Sequence, residues 1–373
     1  MNPRERNYYE VGWRHGRDAR AGARANAQLL RESLSQALRV PQSLAVARVV
    51  ADYERRLESL PSLIEYPELR GMRECVLAYN RGVAEGADTS LTDVILRANY
   101  LHVISGTPVA VPGCTLAYFP ASDRGPLVAN NNDGTARWKH ADAPTWIVSN
   151  RAGLIVGCVS SGIFDDEVSP EQFPAPVYLM ADELCGTFSE AVDLLTRLNY
   201  FWGPCNALIA DRQGHSAVIE KSSCRYGLRK SADGFAATTE MSAEEPAFKS
   251  YLWETRERSL RPRGLTHDSA DWAYWQACER RSARLHRLVE AAKAEPTFAT
   301  MERIIYDHTG QPEQVHMDGS KCHPDQAEGE WSLRTTIWVV DELAAQYSFA
   351  EPPVSGHLTP RRWKQFASID PVF

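Results

Sequence analysis

The change from helix to strand in this chain falls within GCTLAYFPASDRGPLVANNND, residues 113–133. The residues before this segment are rich in Arg, Ala, Leu and Gln, which favour helix, and two prolines shortly before it end the helical pattern. Within the segment, two short apolar runs flank residues 122–125, whose composition is that of a hairpin turn. The segment therefore predicts a hairpin that returns residues 131–133 towards Cys114.

Cys114 is the candidate nucleophile. A thiol titrates at about pH 8.5 and an N-terminal amine at about pH 8, so cleavage between Gly113 and Cys114 would place nucleophile and base on one residue. Gly113 has no side chain to shield its carbonyl from attack. The nearby Asp133 is a candidate to hold the freed amine or to steer the thiol proton. The alternatives are a buried structural cysteine at Cys114 and an Asx turn at Asp133.

Composition limits the protein class. The 373 residues carry a net charge of −7, which argues against a nucleic-acid partner. No apolar run approaches the roughly 18 residues of a membrane span, and the first residues lack the apolar core of a signal peptide. The eight cysteines stand singly, without a CxxC pair. The sequence predicts a reduced, cytoplasmic protein that does not bind membranes.

The remaining pattern predicts mixed secondary structure. Helices are predicted over residues 11–38, 45–60, 67–82, 91–101, 183–198 and 275–292. Strands are predicted at 115–119, 126–129, 146–148, 153–159, 207–211, 216–220, 235–239, 335–341 and 346–350. Two groups of strands separated by helix favour stacked sheets with helices outside them, and residues 244–267 and 310–331 are predicted as long loops.

Six segments, taken in order, carry a family resemblance. They are residues 9–16 (YEVGWRHG), 81–95, the triplet Gly113-Cys114-Thr115, 131–133, the hairpin 207–220, and 322–325 (CHPD). Together they resemble the penicillin acyltransferase-like cysteine peptidases, the acyl-coenzyme A:6-aminopenicillanic acid acyltransferase family of N-terminal nucleophile hydrolases.

The resemblance implies a fold and an activity. The fold would be an α+β, four-layer αββα sandwich with a helical N-terminal leader. The chain would cut itself into a leader, residues 1–113, and a catalytic chain, residues 114–373, which stay together as an αβ heterodimer in one globular unit. Cys114 would take an acyl group from a small amide substrate or an acyl thioester donor and pass it to water or to an amine of a biosynthetic pathway. The resemblance implies no cofactor.

The resemblance also implies roles for residues around the nucleophile. Arg281 matches the basic residue of the family's Ser-x-x-Arg-x-x-x-Leu helix, where it would pair with Asp133 or bind a substrate carboxylate in a bidentate manner. Arg280 and Arg284 compete for this assignment. The supporting positions are Thr115, Asn131 and Thr239.

Glu240 departs from the family pattern, which has Thr-Asn-His after the central hairpin. An amide donates to a developing oxyanion, whereas an ionised carboxylate cannot. In one interpretation backbone N–H groups form the oxyanion hole while Glu240 is protonated or turned away. In a second, Asn206 supplies the amide, and in a third Glu240 binds a cationic group of the substrate. The departure also supports another hypothesis, a catalytically inactive member that binds a small acylated ligand or a partner protein.

Four residues near the C-terminus have metal-binding side chains. They are His308, His316, Cys322 and His323. Their spacing matches no common zinc pattern, so the sequence predicts no metal site.

Overall fold

The computed structural model of the protein describes residues 1–58, 65–103, 114–135, 147–160, 177–199, 202, 204–240, 242–309, 314–317, 330–349 and 364–368. The helices are α1 (Pro3–Leu38), α2 (Gln42–Glu58), α3 (Met72–Ala87), α4 (Leu91–Val103), α5 (Val177–Leu184), α6 (Phe188–Arg197), α7 (Pro246–Leu260), α8 (Ala270–Ala292) and α9 (Phe298–Ile305). The strands are β1 (Cys114–Phe119), β2 (Leu127–Thr135), β3 (Ile147–Ser149), β4 (Ile155–Ser160), β5 (Cys205–Ala210), β6 (Ser216–Lys221), β7 (Tyr226–Lys230), β8 (Ala236–Thr239), β9 (Glu330–Val339), β10 (Ala344–Phe349) and β11 (Lys364–Ser368).

The strands form two antiparallel sheets. The first has six strands in the order β11-β10-β9-β2-β1-β8, and the second has five in the order β3-β4-β5-β6-β7. The predicted hairpin joins β1 to β2 and pairs Cys114 with Asn132. On the far side of β2, β9 pairs Asn132 with Arg334. Three neighbouring strands therefore bring Cys114, Asn132 and Arg334 into one row.

Alternation of side chains along the strands produces the layers. On the inner face of the six-stranded sheet, Leu116 and Tyr118 pack in one cluster with Leu208 and Val218 of the five-stranded sheet. On its outer face, Ala117, Phe119 and Ile337 pack against α8 and α9. The other sheet is covered outside by α5 and α6. The predicted α+β, four-layer αββα sandwich is confirmed.

The N-terminal helices share the core of the sandwich. Val11 of α1 and Val76 of α3 belong to the cluster that includes Val156 and Ile209 of the five-stranded sheet. A Cβ on Gly82 of α3 would lie 2.2 Å from the carbonyl oxygen of Tyr9 in α1. Glycine therefore lets the two helix backbones touch. None of the described helices combines the length and the apolar character needed to cross a bilayer.

Two predicted segments differ from the structure. The helix predicted over residues 183–198 is two helices, because the chain turns at Gly186 and α6 starts afresh with a capping box between Thr187 and Glu190. The predicted loop over residues 244–267 contains α7, whose first turn is capped by the Glu245 carboxylate, which accepts from the N–H of Phe248 at 2.6 Å. The predicted loop at 310–331 lies mostly outside the described residues.

Candidate active site

Cys114 opens β1, at one end of the sandwich, with its side chain between the sheets. It is 7% exposed, and Gly113 lies outside the described residues. The backbone N–H of Asp133 donates to the sulfur, and Asn132 Nδ2 lies 3.8 Å from Sγ. Burial raises the pKa of the Cys114 thiol, and the charges of Asp133 and Glu240 raise this pKa further. The thiol is therefore protonated in the intact chain.

A buried chain of charged groups leads away from the backbone nitrogen of Cys114. This N–H donates to Glu240 Oε2 at 3.0 Å. Arg281 Nη1 donates to both carboxylate oxygens of Glu240, each at 2.7 Å, and Arg281 Nη2 donates to Asp133 Oδ2 at 2.6 Å. The side chains of Arg281, Asp133 and Glu240 are fully buried. One guanidinium therefore joins two carboxylates, and one of these holds the nitrogen that cleavage would free.

Neighbouring elements fix this arrangement. The pairing of β2 with β9 shifts register between Asn132 and Asp133, and Ser332 Oγ donates to Asp133 Oδ1 at 2.6 Å. Arg281 Nη2 also donates to the carbonyl oxygen of Val315 at 2.6 Å. Burial raises the pKa of Asp133 to about 6; the Arg281 charge opposes this increase and the Glu240 charge adds to it. The carboxylate of Asp133 thus orients Arg281, while its backbone N–H faces the sulfur.

Asn206 and Thr239 support the backbone around Glu240. Asn206 Nδ2 donates to the carbonyl oxygens of Thr239 and Ser242, at 2.9 and 2.8 Å. The hydroxyls of Thr239 and Ser242 lie 3.0 Å apart. In this structure both hydrogens of the Asn206 amide are directed at carbonyl groups, which fixes the turn that presents Glu240 to Cys114.

Asn131 and Asn132 face opposite sides of the sheet. Asn131 Nδ2 donates to the carbonyl oxygen of Ile305 at 2.9 Å, and Asn131 Oδ1 accepts from Thr335 Oγ1 at 2.7 Å. Thr115 is paired with Asn131 in register and belongs to the same outer face. Asn132, which the sequence reasoning did not single out, shares the inner face with Cys114. The signal for it is the hairpin register, because directly paired residues of an antiparallel sheet lie on the same face.

The contacts of Arg281 and Arg284 differ, and two of the four metal-type residues lie side by side. Of the three arginines considered on α8, Arg281 reaches Cys114 through Glu240, whereas Arg284 pairs with Asp307 at 2.8 Å. The rings of His308 and His316 lie 4.6 Å apart. Cys322 and His323 lie outside the described residues. Among the residues that the structure covers, no three His, Cys, Asp or Glu side chains are placed to hold a metal ion.

Among known proteins, the similar chains are found in solved structures. No protein-family model matches the chain, and no curated protein matches it. Penicillin V acylase from Agrobacterium tumefaciens is similar at 13% identity and a TM-score of 0.41, with 64% of this chain and 84% of that chain covered. A variant of conjugated bile acid hydrolase from Clostridium perfringens is similar at 11% identity and a TM-score of 0.34, with 70% and 92% covered. At such low scores the chemistry of this chain has to be inferred from its own residues.

Proposed function

We propose that this protein is a self-processing N-terminal-nucleophile amidohydrolase or acyltransferase. In this proposal the chain is cut before Cys114, and the new N-terminal cysteine takes an acyl group from a small amide or thioester. The observation that carries it is the contact of the Cys114 backbone nitrogen with the buried Glu240 carboxylate at 3.0 Å, beside the Cys114 thiol. A base position and a nucleophile thereby coincide in one residue.

The charges of the cluster favour a free amine at Cys114. The hydrogen-bonded set of Arg281, Asp133 and Glu240 contains one positive and two negative groups, all buried. A buried charge is tolerated where it is paired. Cleavage would create an α-ammonium group next to Glu240, so that these groups would number two positive and two negative. Glu240 then has a role that an asparagine could not fill, namely to pair with the new N-terminus.

Self-cleavage would proceed as an N→S acyl shift. The sulfur attacks the carbonyl carbon of Gly113, a C–S bond forms, the C–N bond breaks, and the thiol proton passes to the nitrogen. Water then hydrolyses the thioester, which leaves a carboxylate at Gly113 and a free amine at Cys114. The free amine titrates at about pH 8, so at neutral pH its neutral fraction can accept the thiol proton.

Turnover would use the same sulfur. The amine takes the thiol proton, the thiolate attacks the acyl carbon of the substrate, and the protonated amine returns its proton to the leaving group. Asn132 Nδ2 lies beside Sγ and is a side-chain amide able to donate to the oxyanion of the tetrahedral intermediate. Water or an amine then releases the acyl group from sulfur.

Intact-mass analysis of the purified protein tests the proposal. We expect one fragment of residues 1–113 and one that starts at Cys114, and we expect a thiol-reactive acyl probe to label Cys114. Cys114→Ala should abolish both processing and labelling, whereas Cys75→Ala, at another buried cysteine, should preserve them. Undiminished cleavage in Cys114→Ala would remove Cys114 from the mechanism.

A second function is favoured by the burial of the thiol in the intact chain. If the chain stays uncut and Cys114 stays unreactive, the same site would serve to bind a small acylated ligand without catalysis. For an active protein, product analysis with and without added amines separates hydrolysis from acyl transfer.

A further inference from the structure

A row of polar side chains extends from Cys114 across the inner face of the six-stranded sheet. Cys114, Asn132 and Arg334 are paired in register on β1, β2 and β9. The next row contains Asn130 and Thr336, which are paired with each other. Paired residues share a face, so these polar groups line the space between the sheets on the β9 side of the nucleophile.

Several atoms of this row of polar side chains have no hydrogen-bond partner among the described residues. Arg334 is 4% exposed, and among the residues that the structure describes none accepts a hydrogen bond from its Nε. The same is true, within the described part of the chain, of Asn130 Oδ1 and Thr336 Oγ1. Buried polar atoms in native proteins are nearly always satisfied, so three orphaned atoms in adjacent positions indicate a group that is bound from outside.

The surroundings of Arg334 favour the binding of an anion next to its guanidinium. Burial lowers the pKa of Arg334 to about 10, and the positive charge of Arg97 on α4 lowers it further. Tyr347 and the Cys114 thiol are the groups that act in the opposite direction. Arg334 is thus a buried cation that forms no ion pair with the described residues, in contrast to Arg281, which contacts two carboxylates.

We propose that Arg334 is a specificity residue that binds a carboxylate of the substrate whose carbonyl carbon Cys114 attacks, with Asn130 and Thr336 completing this subsite. The inference rests on the proposed nucleophilic role of Cys114. A guanidinium presents two parallel N–H donors that match the two oxygens of a carboxylate. Asn130 Oδ1 and Thr336 Oγ1 fit the polar atoms or water next to that group.

The spacing of the strands limits where the carboxylate lies. Adjacent strands are about 4.8 Å apart, so the Cα atoms of Cys114 and Arg334, two strands apart, are separated by about 10 Å. Both side chains project from the same face of the sheet, so the anionic group lies within about 10 Å of the scissile carbonyl, on either the acyl side or the amine side.

Two alkylating reagents that differ only in charge test the electrostatic part of the inference. Iodoacetate carries a carboxylate and iodoacetamide its neutral amide, and both form a thioether by displacement of iodide from carbon. We expect Arg334→Gln to lower the ratio of the iodoacetate rate to the iodoacetamide rate at Cys114 about tenfold, because a charge-assisted contact is lost. Arg334→Lys should keep part of the ratio, and Arg124→Gln, on the exposed turn between β1 and β2, should leave it unchanged.

The outcomes separate this inference from the proposed function. Labelling of Cys114 by both reagents, with the same ratio in wild type and Arg334→Gln, refutes the carboxylate subsite alone. A Cys114 that neither reagent labels refutes both. Because labelling is followed by peptide mass rather than by turnover, no substrate has to be known.

Matched substrates identify the side that carries the carboxylate. Glutaryl anilide and butyryl anilide differ in a carboxylate on the acyl side, while N-butyrylglycine and its amide differ on the amine side. A higher kcat/KM for the acid in one pair, lost in Arg334→Gln, supports the inference and locates the group. Equal kcat/KM values within both pairs contradict it.

Thermal unfolding distinguishes a ligand-binding arginine from a structural one. Arg334→Met removes a buried charge that has no carboxylate partner among the described residues, so we expect Tm to stay the same or to rise. Arg281→Met removes the shared partner of two carboxylates and should lower Tm. A fall of Tm in Arg334→Met as large as that in Arg281→Met would refute a free guanidinium.

Discussion

Asp133 and Glu240 share one cation, so replacing both should cost more stability than the sum of the single replacements. The perturbation is Asp133→Asn and Glu240→Gln, made singly and together. Cys114→Ala serves as the common background, because it keeps the chain intact in every variant. The amides preserve shape and remove charge, which isolates the electrostatic part of the effect.

The magnitude follows from the contacts of Arg281. In Asp133→Asn, Arg281 keeps both 2.7 Å contacts to Glu240, and in Glu240→Gln it keeps the 2.6 Å contact to Asp133. Each single variant loses charge-assisted bonds but leaves a neutral buried pair, so we expect a loss of about 1–2 kcal/mol in the free energy of unfolding. The double variant removes both carboxylates that contact the guanidinium among the described residues, which costs about 3–5 kcal/mol more.

Equilibrium urea unfolding, followed by tryptophan fluorescence, measures the free energy of unfolding of the Cys114→Ala background, the two single variants and the double variant. Adding Arg281→Met to the double variant should restore much of the lost stability, because it removes the buried guanidinium whose two carboxylate contacts have been replaced. Single effects that add to within about 0.5 kcal/mol would refute the reasoning, since independent sites behave that way.

Two further results are expected. Asn132→Ala should lower kcat by about 10²–10³ at nearly unchanged stability, while the matched Asn131→Ala should instead cost about 1–3 kcal/mol in urea unfolding. Gly82→Ala should destabilise by about 1–3 kcal/mol or more, as measured by urea unfolding, because its Cβ would lie 2.2 Å from the carbonyl oxygen of Tyr9.

Local sequence signals predicted the parts of the fold that short segments determine. The hairpin around Cys114 followed from two apolar runs and a polar turn, and β1 and β2 lie where that pattern placed them. The helix over 183–198 was predicted as continuous because its apolar positions continue past Gly186, which the capping box of α6 overrides. Helix α7 was missed because its apolar residues do not follow one stripe, and its start depends on the cap at Glu245.

Composition and local pattern could predict the contacts of the site between residues close in the sequence, but not those between distant residues. Asp133 and Cys114 belong to one hairpin, so composition and turn chemistry could bring them together. Arg334 reaches the same row through the pairing of β9 with β2, which joins distant parts of the chain. No local pattern encodes that register. The shift between Asn132 and Asp133 in the pairing of β2 with β9 adds a second difficulty, because it changes which residue of β9 lies opposite Asp133.

The two halves of the site have opposite electrostatic character, and this follows from which described charged groups lie on each side of the sulfur. Around the nitrogen of Cys114, the described groups are Arg281, Asp133 and Glu240, one cation and two carboxylates, which suits a new ammonium group. On the other side of the sulfur, the buried Arg334 supplies a positive charge. A substrate with a carboxylate would be attracted to the β9 side and repelled from Glu240. Its carbonyl would then lie over Sγ in one orientation, so the same charges that hold the base would also orient the substrate.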